Sequence, residues 1–144
     1  MAGPENTRPA LRRVLETCLY VSDMQHARAF YEEVMGLSLQ FSEERISGFR
    51  LGDSMLLLFQ AKGTLEPVHT PGGVIPPHDG SGPAHFAFSI AANEADAWLN
   101  HLAAHGVAIE STVRWEKDNA NSIYFRDPDG HLVELATPGL WGIA

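Results

Sequence analysis

The sequence is poor in cysteine, in clustered positive charge and in long apolar runs. Cys18 is its only cysteine and has no partner for an internal disulfide, which is typical of a reducing, cytoplasmic setting. The formal net charge of −8, with no Lys/Arg cluster, argues against nucleic acid or an anionic membrane as a partner, because both offer phosphate to a basic surface. Residues 1–9 carry no apolar run, so we expect neither a signal peptide nor a membrane span.

What is present is enough apolar sequence for one domain, arranged in two similar sets of elements. With 144 residues, 44% of them hydrophobic, the chain can bury a proper core without cross-links. Apolar periodicity and turn residues predict the elements. The first set is a strand at 15–21, a helix capped by Ser22 or Asp23 and ending at Gly36, and strands at 37–41, 46–51 and 54–59. The second set is a strand at 84–90, a helix capped by Asn93 and ending at Gly106, a strand at 107–113, and a hairpin within 122–135.

The two sets repeat at an offset of about 70 residues, since Asp23 aligns with Asn93 and Gly36 with Gly106. We therefore predict an α+β fold in which one domain, residues 14–138, consists of two βαβββ modules at 14–60 and 84–138. Residues 61–83 join the modules and contain five prolines and five glycines without periodicity. This composition predicts a connector that is long enough to act as a lid.

Three ionisable side chains interrupt apolar strands of this pattern. Glu16 and His85 lie on the first strand of each module, on the face opposite the residues that pack under its helix. Glu134 lies between Val133 and Leu135 on the last strand, where a carboxylate needs either water or a partner. An imidazole and two carboxylates suit a divalent ion and leave coordination positions open for water or substrate.

Each of these residues also has a simpler explanation when it is taken alone. Strand glutamates are more often solvated, and a strand histidine is more often a hydrogen-bonded core residue. The predicted placement of all three on one face favours the metal site. Two further candidates are Tyr124, whose hydroxyl can donate to a substrate oxygen, and His78 in the connector, which can act as acid or base or simply be a solvated loop histidine.

Three motifs resemble the vicinal oxygen chelate superfamily, the group of glyoxalases, bleomycin resistance proteins and ring-cleaving dioxygenases. They are LYVSDM followed by AFYEEVMGL (19–24 and 29–37), HFAF (85–88) and SIYFRDPDGHLVEL (122–135). The resemblance covers residues 15–135. It implies paired βαβββ modules that form a cup-shaped, barrel-like mixed sheet around a metal, with the helices outside.

In that family the ligands come from the first strand of each module and from a last strand, which correspond to Glu16, His85 and Glu134. The first position is commonly His or Gln, so Glu16 is a departure and leaves the metal open among Mn, Fe, Zn, Ni and Mg. A fourth position, used by glyoxalase I, falls near the apolar Leu57 and disfavours that assignment. A three-ligand site, as in fosfomycin-modifying transferases and extradiol dioxygenases, resembles this chain better.

The resemblance implies a metal-dependent enzyme that holds a small oxygenated substrate through adjacent oxygens. Its chemistry stays open among lyase, dioxygenase, isomerase and transferase. Glu134, Tyr124 and His78 are the catalytic candidates, and no residue is assigned to an organic cofactor. We expect a homodimer, because Leu140 and Trp141 offer apolar surface after the last strand. The alternatives are a metal-free protein that sequesters a drug or metabolite, as bleomycin-binding members do, and a chain that has kept only the fold.

Overall fold

The computed structural model describes residues 8–143, most of which lie in two four-stranded sheets and their helices. The first sheet contains β1 (Glu16–Val21), β2 (Ser38–Ser42), β3 (Ile46–Leu51) and β4 (Ser54–Gln60) in the order β1-β4-β3-β2. A short hairpin follows, formed by β5 (Val68–Thr70) and β6 (Gly73–Ile75). The second sheet contains β7 (His85–Ser89), β8 (Ile109–Arg114), β9 (Asn121–Arg126) and β10 (Leu132–Ala136) in the order β7-β10-β9-β8.

The two sheets have the same topology, which confirms the predicted α+β class and the paired βαβββ units. In each sheet the first strand runs parallel to the last, β1 beside β4 and β7 beside β10, and the other neighbours are antiparallel. Strands β1 and β7 are therefore sheet edges, each with one row of backbone groups outside its own ladder. Within residues 8–143 the sheets are not hydrogen-bonded to each other, so they form no closed barrel.

Helix capping confirms one prediction and corrects another. Helix α1 (Met24–Ala29) begins after Asp23, whose carboxylate accepts from the backbone N–H of His26 as predicted. The chain continues as a π-helical segment, Phe30–Val34, and turns at Gly36 with φ +71°. Helix α2 (Ala95–Ala104) begins after Glu94, so the prediction that Asn93 caps it is wrong. A hydrogen bond from Glu94 N to the Ala91 carbonyl forms a turn there that delays the helix.

Both units contribute to one hydrophobic core, formed by the sheet faces that carry Leu19 and Val21 in β1 and Val133 and Leu135 in β10. Since neighbouring strand residues point to opposite faces, Glu16 and Glu134 are directed away from this core. The remaining members come from both helices and from five more segments: Ala27, Tyr31, Met35, Phe49, Leu56, Leu58, Ile90, Leu102, Ile123 and Phe125. Core packing therefore decides which residues reach the other face of each sheet.

Polar contacts join the two units around this core. The hydroxyl of Tyr31 donates to Asp127 Oδ2 at 2.7 Å, and both side chains are buried. His101 Nε2 donates to the carbonyl of Val34 at 2.7 Å, which links α2 to the π-helical segment. Burial and the neighbouring Asp127 carboxylate raise the pKa of Tyr31 well above its usual range, so the phenol remains a donor.

The connector is more ordered than its composition predicts. It contains the β5–β6 hairpin, in which Val68 is paired with Ile75, and it returns to the first sheet near His78. There the backbone N–H of His78 donates to the Thr64 carbonyl at 2.9 Å. Local turn chemistry at Thr70 and Gly73 explains the hairpin, because the Thr70 hydroxyl donates to the Gly73 carbonyl at 2.8 Å.

No helix within residues 8–143 has the length and hydrophobicity needed to cross a membrane. The expectation stated for residues 1–9 lies almost entirely outside the described part of the chain.

Replacing Tyr31 with Phe should lower the free energy of unfolding by about 1.5–3 kcal/mol, because a hydrogen bond to a buried carboxylate is lost. Urea titration followed by circular dichroism measures the change. The matched control is Tyr20→Phe, which removes a hydroxyl near the surface and should cost less. Equal losses for the two variants would contradict a special role for the Tyr31–Asp127 contact.

Candidate metal centre

Glu134 is a buried carboxylate on the non-core face of β10. Val133 and Leu135 on either side are fully buried in the core, and Glu134 itself is only 7% exposed. The hydroxyl of Ser122 donates to Glu134 Oε2 at 2.6 Å, and it accepts from Trp115 Nε1 at 2.9 Å. This chain of hydrogen bonds fixes the orientation of the carboxylate and leaves Oε1 directed elsewhere.

His85 lies on β7, directly beside β10, and its imidazole faces Glu134. Nδ1 is 3.0 Å from the carbonyl oxygen of Leu132, which can only accept, so Nδ1 carries the proton. Nε2 of the same ring lies 3.3 Å from Glu134 Oε1, so the two atoms are placed to share either a proton or a metal ion.

Tyr124 is the third member of this group. It is paired with Glu134 across the β9–β10 ladder, and its ring centroid lies 6.2 Å from that of His85. Desolvation raises the pKa of Tyr124 and the negative charge of Glu134 raises it further, while a hydrogen bond with Ser122 acts in the opposite direction. The phenol is therefore a proton donor beside the His85–Glu134 pair.

Glu16 lies in a different place, a cavity of about 540 Å³ on the first sheet. The side chains of Glu16, Cys18 and Tyr20 project from β1 into this cavity, as their alternation predicts, and His78 reaches it from the connector. All of its lining residues come from the first unit and the connector: Glu16, Cys18, Tyr20, Glu43, Arg45, Ile46, Phe59, Gly63, Thr64, Glu66, Val68, Ile75, Pro76 and His78.

One chain therefore brings His85, Glu134 and Tyr124 together but leaves Glu16 and His78 on the other sheet. Among residues 8–143 no group of three His, Cys, Asp or Glu side chains is placed to hold a metal ion. The shared core lies on the sheet faces opposite those that carry Glu16 and Glu134. The three-residue metal site stays a prediction.

Ser122 and Trp115, which orient the Glu134 carboxylate, were not assigned a role from the sequence. Ser122 carried a usable signal, since it shares a strand face with Tyr124 and Glu134 is two strand positions away across the ladder. Trp115 lies after β8, where no periodicity indicates direction. The position near Leu57 is buried and apolar, beside Cys18 in the β1–β4 ladder, and provides no further ligand.

The His85–Glu134 pair fits a divalent ion. Two donors bound at about 2.0–2.2 Å from one ion are separated by about 2.8–3.6 Å, depending on the coordination angle, and the observed 3.3 Å lies within that range. The non-bonding atoms of both ligands are already hydrogen-bonded, to Leu132 and Ser122 respectively. Such outer contacts hold metal ligands in a fixed orientation.

Comparisons with known proteins identify the family of the chain. The sequence profile of the Glyoxalase/Bleomycin resistance protein/Dioxygenase superfamily matches residues 13–135. Metallothiol transferase FosB from Staphylococcus epidermidis is 30% identical over 121 residues, which cover 83% of this chain and 78% of that protein. Glutathione transferase FosA from Serratia marcescens is 29% identical over 119 residues, 81% of this chain and 74% of that protein.

Solved structures show the same fold. The crystal structure of lactoylglutathione lyase from Agrobacterium tumefaciens has a TM-score of 0.86 and 32% sequence identity, and the match covers 94% of this chain and all of that one. The fosfomycin resistance protein FosX from Mesorhizobium loti has a TM-score of 0.60 at 22% identity, covering 90% of this chain and 93% of that one, and this likeness bears on the fold alone.

The fold and the His85–Glu134 pair define a class of protein in which two βαβββ units carry possible metal ligands on the sheet faces opposite their core. The chain belongs to the glyoxalase/bleomycin resistance protein/dioxygenase superfamily.

Replacing Ser122 with Ala should release the Glu134 carboxylate and leave Trp115 Nε1 without its acceptor. We expect the indole N–H of Trp115 to exchange faster with solvent in NMR spectra, and divalent-metal affinity to fall about 10- to 100-fold. Ser38→Ala, at an exposed position on the edge strand β2, is the control and should change neither quantity. Unchanged exchange and unchanged affinity in Ser122→Ala would show that this hydrogen-bond chain does not orient the carboxylate.

Proposed function

We propose that the protein is a metal-dependent enzyme that acts on a small oxygenated substrate through two adjacent oxygens. The observation that carries this proposal is the distance of 3.3 Å between His85 Nε2 and Glu134 Oε1, with His85 Nδ1 held by the Leu132 carbonyl. A divalent ion bound there by His85 and Glu134, with Glu16 as third ligand, leaves positions open for the substrate.

Glu16 would come from a second copy of the chain. Glu16 lies on β1 and His85 on β7, each of which is one of the two edge strands of its sheet, at near-equivalent positions of the repeat. Unpaired edges are the parts of a sheet that accept another strand or chain. A two-fold pair of chains that sets the β1 edge of one copy beside the β7 edge of the other places Glu16 opposite His85 and Glu134.

Exposed apolar residues near these edges favour such a homodimer. Leu11 is 99% exposed and Val14 is 75% exposed just ahead of β1, and Trp141 is 75% exposed after β10. The face of β7 that carries His85, Ala87 and Ser89 is also exposed in a single chain. Apolar surface at both chain ends together with an uncovered sheet face is typical of a contact between subunits.

The bound ion would polarise the substrate oxygens and stabilise negative charge that develops on them. Tyr124 lies beside the ligand pair with a protonated hydroxyl, so it can donate a hydrogen bond to one of those oxygens. Glu134 acts as a ligand whose free rotation is removed by Ser122. His78 remains a catalytic candidate from the cavity that contains Glu16.

Transferase chemistry is the first reaction class to test. The names of FosB and FosA describe thiol-using transferases, and both align over most of this chain. The similarity to a lactoylglutathione lyase structure favours lyase chemistry as the second candidate. Fosfomycin with glutathione or cysteine, and the hemithioacetal of methylglyoxal with glutathione, separate these two classes in one assay series.

Replacing Glu134 with Gln should weaken Mn²⁺ or Zn²⁺ binding at least tenfold, because a ligand charge is lost while side-chain volume is kept. Isothermal titration calorimetry on metal-stripped protein measures this change. Glu110→Gln is the matched control on the same sheet, since Glu110 is paired with Arg126 at the surface, and it should bind metal like the unmodified chain. If the unmodified protein binds no divalent ion, the sequestering protein becomes the better account.

Mixing two variants tests whether the site is shared between copies. Chains with Glu16→Gln and chains with Glu134→Gln should each bind metal weakly as homodimers. A heterodimer of the two, isolated through different affinity tags, should regain one site of normal affinity per dimer, because one of its two sites has all three ligands intact. A heterodimer as weak as both parents would exclude this arrangement.

A further inference from the structure

His78 is held in place by more contacts than a solvated loop histidine has. Its backbone N–H donates to the Thr64 carbonyl at 2.9 Å, and the Thr64 hydroxyl donates to the His78 carbonyl at 2.5 Å. Thr64 itself is only 8% exposed. These two bonds fix the backbone of the connector at the point where it meets the first sheet. The position from which the His78 side chain extends is therefore fixed as well.

The ring of His78 is also oriented. Its Nδ1 lies 2.5 Å from the hydroxyl oxygen of Tyr20 on β1. The ring meets Phe59 edge-on, with centroids 4.7 Å apart, and lies 5.7 Å from the Tyr20 ring. Three aromatic rings therefore form one wall of the cavity that contains Glu16.

The Tyr20 hydroxyl is placed to influence which ring nitrogen of His78 carries the proton. Desolvation raises the pKa of Tyr20, and the charges of Cys18 and Asp79 raise it further, so the phenol is protonated at neutral pH. Within residues 8–143 its one hydrogen-bond partner is His78 Nδ1. A phenol in this position can donate to Nδ1, and the imidazole proton then lies on Nε2.

Nε2 of His78 has no hydrogen-bond partner among the described residues, although the ring faces the cavity. Within residues 8–143 the only buried side-chain nitrogen or oxygen without a partner is Arg28 Nε. Nε2 of His78 is therefore not buried. Nε2 is thus accessible to a molecule that enters the cavity beside Glu16.

We propose that His78, positioned by Tyr20 and Thr64, donates a hydrogen bond from Nε2–H to a substrate oxygen that is negatively charged or becomes so during the reaction. This inference rests on the proposed function, because the substrate would lie between Glu16, as a ligand of the ion, and the aromatic wall. No proton is transferred in this role. His78 contacts the substrate, and Tyr20 is a positioning residue that acts through the tautomer of His78.

The tautomer is tested on the free protein by NMR with ¹⁵N-labelled histidine. We expect the His78 ring, identified by its loss in His78→Gln, to show the Nε2–H form, and Tyr20→Phe to produce a mixture of tautomers. Tyr124→Phe is the matched control and should leave the His78 signals unchanged, since Tyr124 lies on the other sheet. A dominant Nδ1–H form in the unmodified protein would overturn the inference.

Oxalate, an anion with adjacent oxygens, serves as the probe for the donor itself. Calorimetry on Mn²⁺-loaded protein should show that His78→Ala weakens oxalate binding about 10- to 100-fold, the effect of losing one hydrogen bond to a charged group. His78→Gln, whose amide N–H reaches toward the position of Nε2–H, should recover part of the loss. Mn²⁺ affinity should be the same in all three proteins.

The outcomes separate this inference from the proposed function. Equal oxalate binding by the unmodified protein and His78→Ala, with Mn²⁺ bound normally, would overturn the role of His78 alone. Failure of the unmodified protein to bind Mn²⁺ would overturn the proposed function and this inference with it.

Discussion

Burial of one face of each sheet in a common core is the constraint on which the rest of the structure depends. Val133 and Leu135 are completely buried, so Glu134 between them must lie on the other face. The same alternation in β1 buries Leu19 and Val21 and directs Glu16 and Tyr20 into the cavity. A one-residue shift of either strand would put a carboxylate into the core, which explains why the register is strongly determined.

On the non-core face of the second sheet, partial removal from water changes the properties of Glu134 and Tyr124. Glu134 is buried, and its carboxylate accepts from Ser122 and lies beside His85 Nε2 and the phenol of Tyr124. A buried negative charge is costly, and a cation beside it lowers that cost. The same reasoning explains the protonated phenol of Tyr124, because ionisation there would add a second negative charge.

The two sheets divide the candidate machinery between them. His85, Glu134 and Tyr124 lie on the non-core face of the second sheet, whereas Glu16, Tyr20 and His78 line the cavity on the first. Each half is organised by its own hydrogen bonds, Trp115 to Ser122 to Glu134 in one and Thr64 and Tyr20 to His78 in the other. Two preorganised halves that meet at an interface would form a complete site without rearrangement of either sheet.

Local pattern alone determined the two βαβββ units, a first helix cap at Ser22 or Asp23, and the strand faces of Glu16, His85 and Glu134, because periodicity and capping depend on neighbouring residues. It failed at Asn93, where a preceding turn moved the helix start, and in the connector, whose hairpin and His78 anchor depend on distant partners. Only the tertiary structure decided that Glu16 and Glu134 of one chain lie apart, and that Ser122 and Trp115 orient the carboxylate. Alternation along a strand assigns a residue to a face, but the packing of the sheets against each other decides which faces meet.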